Sequence, residues 1–319
     1  MRSRITRYLL TLILPTALLC LVFVYSLYHE ERTMVRQNLE AAEELRLLAG
    51  ARSLGGDIGS VAGDVRLMAS LPSMKAVLET SDAPALAALM ADFVALAASR
   101  RVYDQLRWID ETGMERVRID YVQNQPQVVP EERLQNKAQR YFFAATMQLA
   151  PGEIFVSPLD LNVEQDQVET PIKPVIRFAM QVRDEAGVVR GIVMANYYGI
   201  YLLDKFADVT EARAGGARVH LLNRDGYWLR APQPGDEWGF MFGRKEHFGT
   251  RFPLAWERIS AGEQGRFEDA DGLWSFTTVR PLLAGRAAAS EAPGEVPAAV
   301  GADDYVWKAV SRIPPDVLL

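Results

Sequence analysis

Three arginines, Arg107, Arg118 and Arg177, stand inside short runs of strand-forming residues. An arginine in such a run either points to solvent or lines a cavity. Its guanidinium is a planar fork that pairs bidentately with a carboxylate, so the chemistry in prospect is recognition of a small organic anion. Arg177 is the favoured pocket residue, because Val175, Ile176, Phe178, Ala179 and Met180 surround it with apolar neighbours. Tyr141 and Phe142 would close an apolar wall or serve as ordinary core, while Asp160 and Asn162 could bind an amine or hydroxyl. Asn196 and Tyr197 end an apolar run over 191–195, where a buried polar group must find a partner.

Catalytic and metal chemistry finds less support. His29, His220 and His247 are too far apart to form a local metal motif, and each is expected at the surface or in packing. The sequence has no nucleophile elbow, phosphate loop or dinucleotide fingerprint. Glu131 and Glu132 sit at a helix start, where they complement the dipole. The single cysteine, Cys20, excludes an intrachain disulfide framework and a thiolate zinc site. The expectation is therefore no catalytic residue, no metal and no cofactor. A hydrolase assembled from distant residues is the competing class, since a motif search does not reach it. With 35 Lys and Arg against 41 Asp and Glu, the net charge of -6 argues against nucleic acid as a partner.

These residues hang on a chain with a distinctive start. No charge occurs from Tyr8 to Tyr28, and 21 helical residues span about 31 Å, the hydrocarbon thickness of a bilayer. Arg2, Arg4 and Arg7 precede the stretch and Glu30 and Glu31 follow it, which predicts a transmembrane helix over 8–28 with 1–7 cytoplasmic and the remainder periplasmic. Tyr8, Tyr25 and Tyr28 fall where interfacial aromatics sit. The rival is a cleaved signal peptide, against which the bulky residues 25–29 argue. Next, Leu47, Ala51, Leu54, Ile58, Val61, Val65 and Met68 recur at spacings of four and three, the apolar stripe of a long helix. Gly55, Gly59 and Gly63 form a second stripe of small residues, read either as a homodimer contact or as close packing on the protein's own sheet. Gly55-Gly56-Asp57 superficially matches the signature of cyclic-di-GMP synthases, but within a helix the match is coincidental.

A second helix is predicted over 83–100, with Asp82 as N-cap and Pro84 in the first turn. The period then changes to two: Leu106 and Trp108 alternate with Gln105, Arg107 and Ile109, and Val117, Ile119 and Tyr121 with Arg116, Arg118 and Asp120. Gly-closed turns at 110–113, 184–187, 223–226 and 269–272 mark four hairpins, with helices predicted over 130–148 and 253–260. The pattern of hairpin, helix, hairpin occurs twice. The fold class is therefore α+β, with an N-terminal transmembrane helix and long stalk helix followed by two tandem antiparallel-sheet units. The expected divisions are 29–101 for the helices, 102–214 for the first unit and 215–319 for the second, with a long flexible loop at 284–304. A receptor of this layout would continue past Leu319, so a truncated chain is expected.

The local matches are more specific than the layout. Gln105-Leu106-Arg107-Trp108-Ile109-Asp110, Leu134-Gln135-Asn136-Lys137 with Arg140-Tyr141-Phe142, 156–162 and Lys173-Pro174-Val175-Ile176-Arg177-Phe178 resemble the membrane-distal unit of the Vibrio-type histidine kinase sensors. Leu221-Leu222-Asn223 with Gly226-Tyr227-Trp228-Leu229, and Glu237-Trp238-Gly239-Phe240-Met241, are similar to the membrane-proximal unit of that family. These are double Cache sensors, also called PAS-like or PDC sensors. The resemblance covers roughly 30–319 and implies a periplasmic sensor feeding a histidine kinase, a diguanylate cyclase or a chemoreceptor module. It further implies that a small carboxylate or amino-acid-like ligand binds the distal unit. The arginine, tryptophan, tyrosine and aspartate pattern of amino-acid-binding Cache domains is matched only in part, by Arg107-Trp108. A sensor that docks a periplasmic binding protein is the other reading.

Overall fold

Helix α1 (Arg2–Ser70) is one rod of 69 residues, about 100 Å long at 1.5 Å per residue. The computed structural model describes residues 2–164, 167–211, 216–281 and 305–318, so the loop expected at 284–304 lies outside the described residues. Along α1 the predicted stripe is the buried one: Leu47, Leu54, Ile58, Val61, Val65 and Met68 are all in the core, with Ala51 packed beside them. From residue 16 to 38 every side chain is exposed, including Leu18, Leu19, Leu21 and Phe23.

Helix α2 (Pro72–Thr80) leads to α3 (Ala83–Arg100), where Asp82 accepts from the Ala85 N–H at 2.8 Å as the expected N-cap. By length and composition α3 is apolar enough to cross a membrane, yet its Leu89, Phe93 and Ala97 are buried in the protein core. Its alanines make it hydrophobic on average while the packed stripe stays narrow.

The first sheet comprises β1 (Tyr103–Ile109), β2 (Glu115–Val122), β3 (Gln125–Val128), β4 (Ile154–Val156), β5 (Asp160–Leu161), β8 (Pro174–Arg183) and β9 (Val189–Tyr198), in the order β3-β2-β1-β9-β8-β4, with β5 also on β8. A separate two-stranded ribbon joins β6 (Val163–Glu164) and β7 (Gln167–Val168). The only regular helix between β3 and β4 is the short α4 (Tyr141–Met147), so the helix expected over 130–148 is corrected. After a single 3₁₀ turn at Glu131–Arg133 the chain runs as a strap across the β1–β2 turn. Lys137 N–H donates to Gly113 O at 2.6 Å and Gln135 N–H donates to the Glu115 carboxylate at 3.1 Å. Gly113 has φ +85°, and a Cβ there would meet Ala138 at 2.5 Å, so glycine lets the strap lie flat on the turn.

Helix α5 (Ile200–Glu211) leads into the second sheet of β10 (Arg218–Asn223), β11 (Trp228–Arg230), β12 (Gln264–Asp269), β13 (Gly272–Val279) and β14 (Trp307–Ile313), with α6 (Phe248–Arg251) and α7 (Pro253–Ala261) after β11 and α8 (Pro315–Leu318) at the end. Its order is β11-β10-β14-β13-β12. The run β2-β1-β9-β8-β4 of the first sheet follows the same path, so the two units share one topology. All four predicted hairpins form. Their equivalence needs correcting, because β8–β9 joins the fourth and fifth strands of its unit whereas β12–β13 joins the third and fourth. One face of both sheets packs on α1, and a single core cluster runs from Val65 through Phe178 to Trp307.

Candidate functional site

The site is built on the face of the first sheet turned away from α1. The registers Gln105↔Asp120, Gln105↔Asn196 and Arg177↔Asn196 place four polar residues in one row across β2-β1-β9-β8. The adjacent row reads Arg118, Arg107, Met194 and Ala179. Paired residues on neighbouring strands project from the same face, so the first row and the two arginines of the second form one polar strip. Beneath it Ile109, Ala179, Ile192 and Met194 pack with Phe142 and Phe143 of α4.

Burial makes this strip chemically expensive. Arg107, Arg177, Gln105 and Asn196 are all buried. Arg177 Nη1 donates to Asp160 Oδ1 at 2.8 Å, and its Nη2 reaches Asn162 Oδ1 at 3.5 Å. Burial alone would lower the Arg177 pKa, but Asp160 and Tyr141 outweigh it and hold the guanidinium charged. Burial pushes Asp160 above the usual carboxylate range, and Arg177 opposes that shift without cancelling it. Arg107 donates to Gln105 Oε1, which also accepts from Asn196 Nδ2 at 3.1 Å. Its Nε lies 3.2 Å from Glu115 Oε1, and burial brings its pKa down to about 10 against the pull of that carboxylate. Asn196 Oδ1 has no hydrogen-bond partner among the described residues.

Glu115 reaches this face through a β-bulge. Trp108 pairs with Val117 but Ile109 pairs with Glu115, so Arg116 is the extra residue and is exposed, while Glu115 turns inward. Arg118 forks onto Asp120 at 2.7 and 3.1 Å. Asn162 donates to Glu169 at 2.9 Å, and Glu169 pairs with Lys173 at 2.7 Å. Tyr141 is half exposed at the edge of the strip, its ring edge-on to Phe142 and Phe155. Phe142 is core.

Of the nine residues singled out from sequence, the structure brings together Arg177, Asp160, Asn162 and Tyr141 at one end of the strip and Arg107 and Arg118 at the other, with Asn196 between them and Phe142 beneath. Tyr197 is placed elsewhere: neighbours along a strand face opposite sides, and Tyr197 joins the core beside Tyr103 and α1. Sequence reasoning missed Gln105, two positions before Arg107 and so on its face, and Glu115, which only the bulge reveals.

The corresponding face of the second sheet is filled. There His220, Trp228, Phe248, Phe252, Trp274 and Phe276 pack ring against ring, with Phe248 at 5.1–6.2 Å from five neighbours. His220 Nδ1 accepts from Trp228 Nε1 at 3.1 Å, and His247 caps α6 by accepting from Gly249 N–H at 3.1 Å. Both histidines are packing or capping residues. Among the described residues no cluster of His, Cys, Asp or Glu is placed to hold a metal ion.

Residues 57–287, more than half of the chain, match the model of the bacterial histidine kinase sensor domain. The chain belongs to that family. Solved structures agree with the sensor domain in fold. The extracellular domain assigned to the histidine kinase vpHK1S-Z8 aligns over 88% of this chain and 93% of its own, with a TM-score of 0.72 at 17% identity. A domain of a sensory box/GGDEF family protein from Vibrio parahaemolyticus aligns over 88% and 98%, with a TM-score of 0.70 at 17% identity. The sensory domain of the Campylobacter jejuni chemoreceptor Tlp3, solved with isoleucine bound, aligns over 90% and 97%, with a TM-score of 0.56 at 10% identity. None of the proteins with curated functions matches the sensor domain. This chain carries two antiparallel-sheet units of one topology behind one long helix, consistent with tandem Cache units.

Proposed function

We propose that this sensor domain is the extracytoplasmic input region of a transmembrane receptor, held by residues 8–28 of α1 in the inner membrane, and that it binds a small organic anion at the polar strip of the first sheet. The observation that carries the reading is the row Asp120, Gln105, Asn196 and Arg177, in which Asp120 is half-buried and the other three are buried, continued by the Arg177–Asp160 pair. A row of charged and amide groups on an inner sheet face costs stability, which a sensor recovers when a ligand completes the hydrogen bonds. An amino acid or aliphatic carboxylate fits this set: Arg177 is the carboxylate donor, Asp160 and Asn196 Oδ1 are acceptors for an amine or hydroxyl, and Tyr141 closes the edge. In the second unit the equivalent volume holds aromatic rings, which supports the first unit as the receiving one. Two copies associating along α1 would make the signalling unit, and the effector supplied by the receptor would be a histidine kinase, a diguanylate cyclase or a chemoreceptor module.

The test is a thermal-shift screen of the purified chain against amino acids and small carboxylates. A hit is expected to raise Tm, and Arg177→Ala or Arg177→Met should remove that shift. No hit together with co-purification of a protein partner would replace this reading with docking of a binding protein.

A further inference from the structure

Tyr305 joins the two units at the proposed site. It lies two residues before the start of β14, the central strand of the second sheet, yet its hydroxyl is buried beside the Leu159 backbone N–H, with Asp160 and Tyr141 near enough to act on it electrostatically. Its ring packs edge-on against Trp307, the first residue of β14, with centroids 5.4 Å apart. The Leu159 backbone N–H and the Trp307 side chain lie close to the hydroxyl oxygen, but neither meets hydrogen-bond geometry, so the hydroxyl has no hydrogen-bond partner among the described residues. A buried O–H without a partner is costly, and phenylalanine would fill the same space without that cost. Burial also drives the phenol pKa upward, so the group remains a donor.

The strand that follows ends on α1. Ser311 Oγ donates to Glu43 Oε2 at 2.9 Å, and Glu43 is buried between α1 and β14. Ser311 lies six positions after Tyr305, about 20 Å of extended chain. One short segment therefore has its beginning beside the Arg177–Asp160 pair and its end on the helix that leads toward residues 8–28.

Resting on the function proposed above, we infer that Tyr305 is a ligand-contact residue of the first-sheet site contributed by the second unit, donating its O–H to an acceptor on the bound anion and passing occupancy to β14. A ligand biases a receptor only by binding two arrangements unequally. An anion that engages Tyr305 favours the arrangement in which the start of β14 is held against the first sheet, and Glu43 carries that preference to α1.

The experiment titrates the full chain in detergent with L-isoleucine, L-valine, isobutyrate and succinate, comparing wild type, Tyr305→Phe and Arg177→Ala by calorimetry and by amide hydrogen exchange. Tyr305→Phe is expected to weaken binding about tenfold. Its unliganded Tm should move by less than about 2 °C, since the hydroxyl has no hydrogen-bond partner among the described residues. In wild type the ligand should slow exchange in β14 and in the turns of α1 around Glu43, and in Tyr305→Phe it should not. Wild-type affinity in Tyr305→Phe, or exchange in β14 that ignores the ligand, overturns the inference while leaving the anion site intact if Arg177→Ala still abolishes binding. A fall in unliganded Tm of more than about 5 °C in Tyr305→Phe assigns the hydroxyl a structural role and also overturns it. Failure of all four compounds to bind wild type sinks the anion reading and this inference together.

Discussion

Arg107 on β1 and Glu115 on β2 form an ion pair at 3.2 Å in which the arginine is 5% and the glutamate 1% exposed. Removing one member of such a pair leaves the other desolvated and under-compensated, Glu115 keeping only the Gln135 N–H and Arg118 at 3.9 Å, at a cost of about 3–5 kcal/mol, whereas replacing both by apolar groups is milder. Glu115→Gln and Arg107→Met should each lower the unfolding free energy by roughly 3 kcal/mol, and the Arg107→Met/Glu115→Leu double variant should recover most of the loss. Urea unfolding of the three proteins checks this. Additive losses in the double variant would show that the pair does not act as a unit.

The attachment of α1 to the second sheet is also ionic, but its members differ in exposure. Arg36 pairs with Glu268, Arg266 with Glu40 at 3.1 Å, and the buried Glu43 with Arg46 and Ser311. Exposed pairs contribute little and are screened by salt, while a buried carboxylate with charge-assisted bonds contributes more. Glu268→Ala should shift stability by less than about 0.5 kcal/mol and Glu43→Ala should cost about 2 kcal/mol or more, measured by denaturant unfolding at low and high salt.

The turns and the stalk were legible in the sequence because each carries its own local chemistry. Asp110, Asp184, Asn223 and Asp269 each fold back to accept backbone N–H groups within four residues, which is why the four hairpin turns share a signature. The stripe from Leu47 to Met68 needed only helical periodicity. Arg177, Asp160 and Asn196 could be suspected because polar residues stood among apolar ones. Glu115 could not, since a one-residue bulge reverses the face that alternation assigns it. The strap over 134–140 takes its extended path from the β1–β2 turn it covers and from nothing in its own composition. Tyr305 lies 128 residues after Arg177, and only the insertion of β14 between β10 and β13 brings its strand back toward the first unit. Tyr197 was separable by the period-two rule, which puts it opposite Asn196.

His220 sets an acid limit on the second unit. Burial among aromatic rings, with Arg312 and Arg251 adding to the effect, brings its pKa down to about 3. An unfolded histidine titrates near 6.5, so the unfolded chain takes up the proton first as pH falls. The stabilisation from neutral His220 is complete above about pH 6.5 and is lost progressively as pH falls toward 3, by about 3 kcal/mol at pH 4. His220→Phe should flatten this part of the stability profile, measured by urea unfolding at pH 7, 5 and 4. An unchanged slope would transfer the effect to other groups.

The proposed membrane topology can be read through the single cysteine. Cys20 is exposed on α1 within residues 8–28, so in water a charged maleimide would reach it, whereas hydrocarbon keeps a charged reagent out. In native membrane vesicles Cys20 should resist a charged, impermeant maleimide from either side and react once the membrane is dissolved in SDS. In a Cys20→Ala background, Thr33→Cys should label from outside intact cells, and Ser3→Cys only after permeabilisation. The flanking charges predict this asymmetry, because Arg2, Arg4 and Arg7 stand on one side and Glu30 and Glu31 on the other. Labelling of Ser3→Cys from outside reverses the orientation, and loss of Cys20 from the mature chain identifies a cleaved leader. Either result would detach α1 from the membrane side assigned to it and with it the route from β14 to the bilayer.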